Sequence, residues 1–164
     1  RDRAAALADH RQISRDHART PMQWDATEHA GFTDGTPWLM LNPNYDTVNV
    51  EAARNDPDSV YHYYRRLIRL RREREVFVYG DYDLLAPEHP DIYAYRRTLG
   101  RDAVVVLLNF TDETVQADFS VGTADARFTR LMGTHDSAAP LGDGVVLRPY
   151  EGRIDERSTG GNET

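Results

Sequence analysis

The chain has 164 residues, of which 40% are hydrophobic and 29% charged, a balance typical of one globular domain or of one small domain with a piece of another. The net charge of −7 argues against a general nucleic-acid binder and against a protein that binds anionic membranes. All twenty basic residues are arginine, and the absence of cysteine excludes disulfides and thiolate zinc sites.

No targeting signal is visible in the sequence. No apolar run approaches the roughly 18 residues of a transmembrane helix, and no signal peptide opens the sequence. We therefore expect a cytoplasmic protein that binds neither membrane nor nucleic acid. The first residue is Arg1 rather than methionine, which favours a fragment or a processed chain, although an artificial boundary would look the same.

The first third of the chain predicts one short helix and one long loop. Residues 1–9 favour a helix because alanine and leucine are strong helix formers. Residues 10–50 have low periodicity, and loops this long are uncommon in compact domains and tend to be functional. We predict an ordered loop of the active-site type, anchored by apolar side chains. These anchors are Trp24, Phe32, Trp38, Leu39, Met40 and Leu41.

The next element is a predicted helix. Asp56 suits an N-cap, and Pro57 suits the first helical position. An apolar stripe then recurs at helical spacing at Val60, Tyr64, Leu67 and Ile68. Arginines fill most of the other positions, which predicts a solvated, ion-paired face; a nucleic-acid patch is the weaker alternative.

Beyond residue 75 the pattern changes to short strands separated by turn signals at spacings of roughly ten residues, which is typical of an antiparallel β-sandwich. The predicted strands are 76–79, 82–86, 92–98, 103–110, 114–119, 127–132 and 145–150. Residues 103–110 are apolar almost throughout, as expected for a strand in the centre of a sheet.

The segment 15–25, RDHARTPMQWD, has the most informative chemistry. Pro21 disfavours helix at Thr20, so the chain should turn there. Arg19 could then direct a planar set of donors at ring hydroxyls or at a carboxylate. From the residues alone, a structural ion pair explains Arg19 equally well, and core anchoring is the favoured role of Trp24 and Trp38.

The remaining titratable residues predict no catalytic or metal site. Glycoside hydrolysis by the retaining route needs two carboxylates about 5–5.5 Å apart, and no pair here has a recognisable context. We interpret Asp25, Glu28 and Asp34 as solvated loop residues. The six histidines are scattered and form neither HxH nor HExxH, so we expect no metal and no cofactor.

The run RDHARTPMQWD, followed by HAGF (29–32), PWL (37–39), NPNY (42–45) and VYGDYDLL (78–85), resembles the C-terminal third of α-glucosidases of the α-amylase superfamily. The oligo-1,6-glucosidase group, with dextran glucosidase and sucrose isomerase, is the nearest subgroup, and trehalose synthase is a neighbour. The resemblance covers roughly residues 10–151.

The resemblance implies an α+β chain: the last loop and helix of a (β/α)8 barrel, followed by an all-β antiparallel sandwich. Residues 1–75 are similar to the barrel end, with the closing helix at 57–74. Residues 76–154 are similar to the sandwich, and residues 155–164 are expected to form a flexible tail.

The resemblance also implies a mechanism in which this chain plays a partial role. The family cleaves α-glucosides with an aspartate nucleophile and a glutamate acid/base, which precede the RDHARTPMQWD motif, so no catalytic residue is assigned here. An arginine of this motif holds the glucose in the −1 subsite; we assign that role to Arg19, with Arg15 as the other candidate. We expect the chain by itself to be inactive.

The expected function is therefore the C-terminal portion of an α-glucosidase for α-linked gluco-oligosaccharides, whose partners are the α-glucoside and the missing part of the barrel. A trehalose synthase or a sucrose isomerase is the alternative within the family. Outside it, the chain could be a structural sandwich that supports the barrel, or a non-catalytic carbohydrate-binding module. The module would need exposed aromatics on one sheet face, and the candidates are Tyr79, Tyr82, Tyr93 and Tyr95.

Overall fold

The computed structural model describes residues 18–118, 121, 127–136, 141 and 144–158. The chain divides into two compact units, the first ending at Arg69 and the second beginning at Leu70. The predicted helix over residues 1–9 and the candidate Arg15 lie outside the described residues.

The described part of the first unit contains a 3-10 turn at Glu28–Gly31 and two helices, α1 (Val50–Asn55) and α2 (Val60–Glu73). The last turn of α2 belongs to the second unit. Asn49 caps α1, because its side chain accepts a hydrogen bond from the Ala52 amide at 2.8 Å.

The start of α2 differs from the prediction of an N-cap at Asp56 and a helix from Pro57. Asp56 instead ends α1, and its carboxylate accepts from the Asp58 amide at 2.9 Å. Ser59 takes the capping position: its Oγ faces the His62 amide at 3.5 Å, and its carbonyl accepts from the Tyr63 amide. The preference of aspartate for a local turn with its own backbone explains the shift.

After the last turn of α2, the second unit continues with α3 (Val76–Tyr79), where a strand was predicted. The β-branched and aromatic residues of this segment favour a strand locally, but tertiary packing decides the outcome. Val76 and Phe77 are buried against Val104. The Arg71 side chain also donates to the Phe77 carbonyl at 2.7 Å.

Within the described residues, seven strands follow: β1 (Asp81–Leu84), β2 (Ile92–Leu99), β3 (Asp102–Asn109), β4 (Val115–Ala117), β5 (Phe128–Gly133), β6 (Val145–Leu147) and β7 (Gly152–Arg157). Five of them form an antiparallel sheet in the order β1-β2-β3-β7-β5, and β4 pairs with β6 in a second, two-stranded sheet. The predicted α+β class, with helices followed by an antiparallel sheet domain, is confirmed.

Two apolar clusters lie on opposite faces of the large sheet. On one face, Val105 and Leu107 of β3 pack with Val145 and Leu147 of β6, so the two sheets share a core. On the other face, Val104 packs with α3, together with these half-buried residues: Leu70, Leu99, Leu131 and Ile154. Both clusters include residues of β3, as expected for its almost continuously apolar sequence.

Residues 155–157 form part of a strand rather than of the predicted tail. The expected tail starts at residue 155, but β7 continues to Arg157, and Asp155 is only 1% exposed. The prediction was wrong there because sequence patterns identify buried strands by their apolar residues, whereas this strand carries charged residues at buried positions. The strand predicted at 145–150 also ends early, at Leu147, and a turn joins it to β7. Residues 159–164 lie outside the described part of the chain.

Candidate functional site

Arg19 lies on the surface of the first unit. It is exposed, the chain bends at Thr20 as predicted, and Pro21 is buried beside it. The other members of the motif's polar start, Arg15, Asp16 and His17, lie outside the described residues. The described part of the motif therefore presents one guanidinium group to solvent.

The backbone after Arg19 is held at the N-terminus of α1. The Gln23 carbonyl accepts from the Val50 amide at 2.9 Å, and the Trp24 carbonyl accepts from the Glu51 amide at the same distance. The first amides of a helix have no acceptor within the helix, so the carbonyl groups of the motif supply the acceptors that α1 lacks. The hydrogen bonds fix the motif's backbone to a regular element.

A second connection joins the motif to the NPNY segment. The Gln23 side-chain amide donates to Asn44 Oδ1 at 3.2 Å and to the Val48 carbonyl at 2.5 Å. Asn49 in turn donates to the Tyr45 carbonyl at 2.9 Å. Motifs separated by more than twenty residues in the sequence are thereby brought together, although the sequence alone did not predict which side chains would join them.

The HAGF motif forms a left-handed turn. His29, Ala30 and Gly31 have φ angles of 56°, 57° and 63°. The Ala30 carbonyl accepts from the amides of Trp24 (2.9 Å) and Asp25 (3.3 Å), and Ala30 is fully buried. Non-glycine residues adopt this conformation only when their surroundings compensate for the cost, so the turn fixes Trp24 and Asp25.

Asp25 is a structural carboxylate in this arrangement. Its Oδ1 accepts from the Thr27 hydroxyl at 2.5 Å and from the Thr27 amide at 2.9 Å. The hydroxyl bond and then the amide bond hold the pKa of Asp25 below its usual value of 3.8. A carboxyl group that is ionised at neutral pH has no proton to give, so Asp25 is unsuited to the role of a general acid.

A shallow recess lies beside this turn. It is lined by Trp24, Asp25, Glu51 and Arg54, together with Val50 and Asn55. An indole ring among carboxylate and guanidinium groups suits a polyhydroxylated ligand. Glu51 and Arg54 were not predicted as site residues, because they belong to no recognised motif and the helix α1 itself was not predicted.

Three of the apolar anchors expected in this loop are exposed. Trp24 is 50% exposed, Trp38 is 76% exposed and Met40 is 88% exposed. The expectation of core anchoring by the two tryptophans is therefore wrong for the described chain. The loop is fixed by hydrogen bonds of its backbone and amide side chains instead.

Within the described residues, no group of three histidine, aspartate or glutamate side chains is arranged to hold a metal ion. The helices described are all too short or too polar to cross a bilayer.

Two protein families match the chain in succession. The family described as "Alpha amylase, catalytic domain" matches residues 1–80, and the family described as "Maltogenic Amylase, C-terminal domain" matches residues 82–154.

Individual proteins of known name match across both regions. An oligo-1,6-glucosidase of Parageobacillus thermoglucosidasius is 56% identical over 142 residues, which are 85% of this chain and 25% of that protein. A trehalose-6-phosphate hydrolase of Bacillus subtilis (strain 168) is 38% identical over 141 residues, 84% of this chain and 25% of the relative. The chain thus spans about a quarter of the length of these relatives.

Solved structures are similar over nearly the whole chain. A trehalose-6-phosphate hydrolase of Bacillus licheniformis superposes with a TM-score of 0.87 and 30% identity, over 97% of this chain and 29% of that chain. An isomaltulose synthase from Klebsiella sp. LX3 gives a TM-score of 0.82 and 37% identity, over 93% and 27% of the two chains.

Proposed function

Because the chain belongs to the α-amylase superfamily and resembles the C-terminal part of its α-glucosidases, we propose that it is the C-terminal portion of a retaining glycoside hydrolase for α-linked gluco-oligosaccharides. The nucleophile and the acid/base belong to the preceding part of the catalytic domain in this proposal. Its support is the order of the two family matches, a catalytic domain followed by a C-terminal domain, in a chain that spans a quarter of the length of the related oligo-1,6-glucosidase.

The proposed division of labour follows from the two family matches. Residues 1–75 supply the end of the catalytic barrel, and residues 76–154 supply the sandwich. The change of family between residues 80 and 82 supports a boundary near this position. A cytoplasmic location completes the proposal, and fractionation of cells that express the parent protein tests it.

The observation that carries the proposal is an exposed arginine on a hydrogen-bonded support. Arg19 lies four residues before Gln23, whose carbonyl and side-chain amide are bonded to α1 and to the NPNY segment. Arg19 presents guanidinium donors to the hydroxyls of the glucose ring and holds the ring for attack, a contribution to orientation rather than to bond breaking. Arg15 is the other candidate for this role.

A hybrid enzyme tests the assignment. Residues 1–164 replace the matching quarter of the P. thermoglucosidasius oligo-1,6-glucosidase, and Arg19→Ala is measured in that hybrid. We expect kcat/KM for a nitrophenyl α-glucoside to fall about 100-fold, because a misplaced substrate costs that much.

Two further variants make this test specific. Arg72→Ala removes an exposed arginine from α2 and should leave kcat/KM unchanged. Arg15→Ala is the competing assignment: a large loss there with near-normal kinetics for Arg19→Ala would transfer the role to Arg15.

The exposed side of α2 supports a barrel partner. Val60, Tyr64 and Ile68 are 72%, 61% and 56% exposed, and with Tyr61 and Arg65 they line an apolar recess. Leu67, the fourth residue of the predicted stripe, is half-buried. Such a patch on a soluble protein marks a surface that another structure covers, and we assign it to the missing part of the barrel.

The alternative within the family is a sucrose isomerase or a trehalose synthase. The similarity to the Klebsiella isomaltulose synthase supports this alternative. In the parent protein, with its own catalytic region, product analysis with isomaltose and with sucrose separates the two: glucose release supports hydrolysis, and an isomerised disaccharide supports the alternative.

A further inference from the structure

The polar recess beside the HAGF turn is separate from Arg19. Its volume is about 480 Å³, within the range of roughly 300–1,000 Å³ that small-molecule sites occupy. The side chains that give it its chemistry are Trp24, Asp25, Glu51 and Arg54, and Arg19 does not line it. The recess therefore lies outside the subsite proposed for that arginine.

The backbone of Trp24 and the carboxylate of Asp25 are held in place in the free chain. The Trp24 amide donates to the Ala30 carbonyl at 2.9 Å, and the Trp24 carbonyl accepts from the Glu51 amide at the same distance. Asp25 Oδ1 accepts both hydrogen bonds from Thr27, which leaves Oδ2 without a partner among the described residues. Groups that are positioned before a ligand arrives lower the entropic cost of binding.

The charges of the recess select the class of ligand. Asp25 and Glu51 are carboxylates, which disfavour a phosphorylated or otherwise anionic ligand. Arg54 is positively charged, which disfavours an organic cation that an indole ring would otherwise attract. A neutral polyol suits both signs, because its hydroxyls donate to carboxylates and accept from a guanidinium group. The face of Trp24, which is 50% exposed, offers an apolar surface for the C–H side of a pyranose ring.

The helix α1 separates this recess from the apolar side of the first unit. Tyr61 lines both the apolar recess of α2 and an adjoining recess that includes Ala53 of α1. Glu51 and Ala53 are two residues apart, which places them about 200° apart around a helix of 3.6 residues per turn. The polar recess therefore points away from the side of α1 that adjoins the surface assigned to the barrel.

We propose that this recess is an additional sugar-binding site, which holds a glucose unit of a neutral gluco-oligosaccharide other than the unit held by Arg19. The indole ring stacks on the sugar, and the side chains of Glu51 and Arg54 bind its hydroxyls. The identity of the sugar rests on the proposed function, whereas the site itself follows from the recess.

Tryptophan fluorescence of chain 1–164, with isomaltotriose as the probe, tests the site. The chain has two tryptophans, so Trp38→Phe leaves Trp24 as the reporter. We expect a saturable shift of the Trp24 emission to shorter wavelength, because a stacked sugar removes water from the indole ring. Glu51→Ala and Arg54→Ala, made in the same background, should each raise Kd about tenfold, the usual weight of a hydrogen bond to a charged group.

Matched variants serve as controls. Asp58→Ala and Arg72→Ala remove an exposed carboxylate and an exposed guanidinium group outside the recess, and they should leave Kd unchanged. In Trp24→Phe, which keeps Trp38 as the reporter, isomaltotriose should cause no shift, because Trp38 does not line the recess. Equal Tm values of all variants separate lost binding from lost folding.

The proposal is overturned by an unchanged Trp24 emission, by an unchanged Kd in Glu51→Ala and Arg54→Ala, or by tighter binding of choline or glucose 6-phosphate than of isomaltotriose. A signal lost in Arg19→Ala but kept in Glu51→Ala would place the sugar at the Arg19 subsite instead. The titration measures binding and not hydrolysis, so its failure contradicts only the additional site, and an inactive hybrid contradicts only the proposed function.

Discussion

Gly31 shows how a single residue shapes the candidate site. Its φ of +63° continues the left-handed turn begun by His29 and Ala30. A Cβ at this position would lie 2.6 Å from Asp25 Oδ2, so the carboxylate that bonds Thr27 would have to move. Backbone conformation and close approach both require glycine here.

We expect Gly31→Ala to lower the free energy of unfolding by about 1–3 kcal/mol, the cost of a strained left-handed residue. Chemical denaturation followed by circular dichroism measures this. Gly35→Ala is the matched control, because a Cβ there meets nothing closer than 3.9 Å. Equal stabilities of the two variants would show that the turn is not a constraint.

Tyr82 is the residue with the clearest titration signature. The hydrogen bond to Tyr93, followed by burial, raises the pKa of Tyr82 from 10.0 to about 12. A raised folded-state pKa means that this contribution to stability is complete below pH 10 and is lost as the pH rises toward 12.

In tyrosinate absorbance titrations we expect Tyr93→Phe to lower the pKa of Tyr82 toward 10.0, because the neutral hydroxyl then loses its partner. Tyr150→Phe should leave it unchanged. A Tyr82 pKa near 12 in the Tyr93→Phe variant would contradict the role of the hydrogen bond.

At the scale of elements, β7 carries a buried ionic cluster. Arg153 binds Asp155 through two hydrogen bonds of 2.7 Å, and both residues are at most 3% exposed. Arg130 of β5 approaches Asp155 at 3.4 Å and Glu151 at 3.7 Å. Two guanidinium groups and two carboxylates thus offset each other's charge inside the sheet domain.

Removal of one charge from this cluster should be costly. We expect Asp155→Asn to destabilise the chain by about 3–5 kcal/mol, since it leaves buried arginine charge uncompensated. Asp81→Asn, at an exposed position of β1, should change stability by less than about 0.5 kcal/mol. Thermal unfolding of both variants measures the difference, and a similar Tm for the two would contradict the account.

The same cluster explains why some elements could not be predicted from sequence. Six of the seven strands in the described part of the chain were predicted from apolar patterns and turn residues, but β7 has the sequence GRIDER and its buried positions carry charge. Conversely, α3 has the composition of a strand and is helical because Val76 and Phe77 pack against β3. In both cases the deciding interaction joins residues that are distant in the sequence.

The candidate site was predictable as a region but not as a set of contacts. Its motifs, from RDHARTPMQWD to NPNY, were identified because their residue types and order are distinctive. The pairing of Gln23 with Asn44, and the recess lined by Glu51 and Arg54, depend on how the loop folds back onto α1. No local sequence pattern predicts how this loop packs against α1.

At the scale of the whole molecule, the apolar side of α2 is a surface that another structure should cover. It is exposed in the described chain and belongs to the segment that matches the catalytic-domain family. We expect it to be covered in a protein that contains the whole catalytic domain.

The most direct test of the account is nitrophenyl α-glucoside hydrolysis, measured for purified chain 1–164 and for the hybrid with the P. thermoglucosidasius catalytic region. An arginine that only orients the sugar cannot break the bond, so the account predicts no turnover above background for 1–164 and clear glucose release by the hybrid. Robust glucose release by chain 1–164 alone would contradict it.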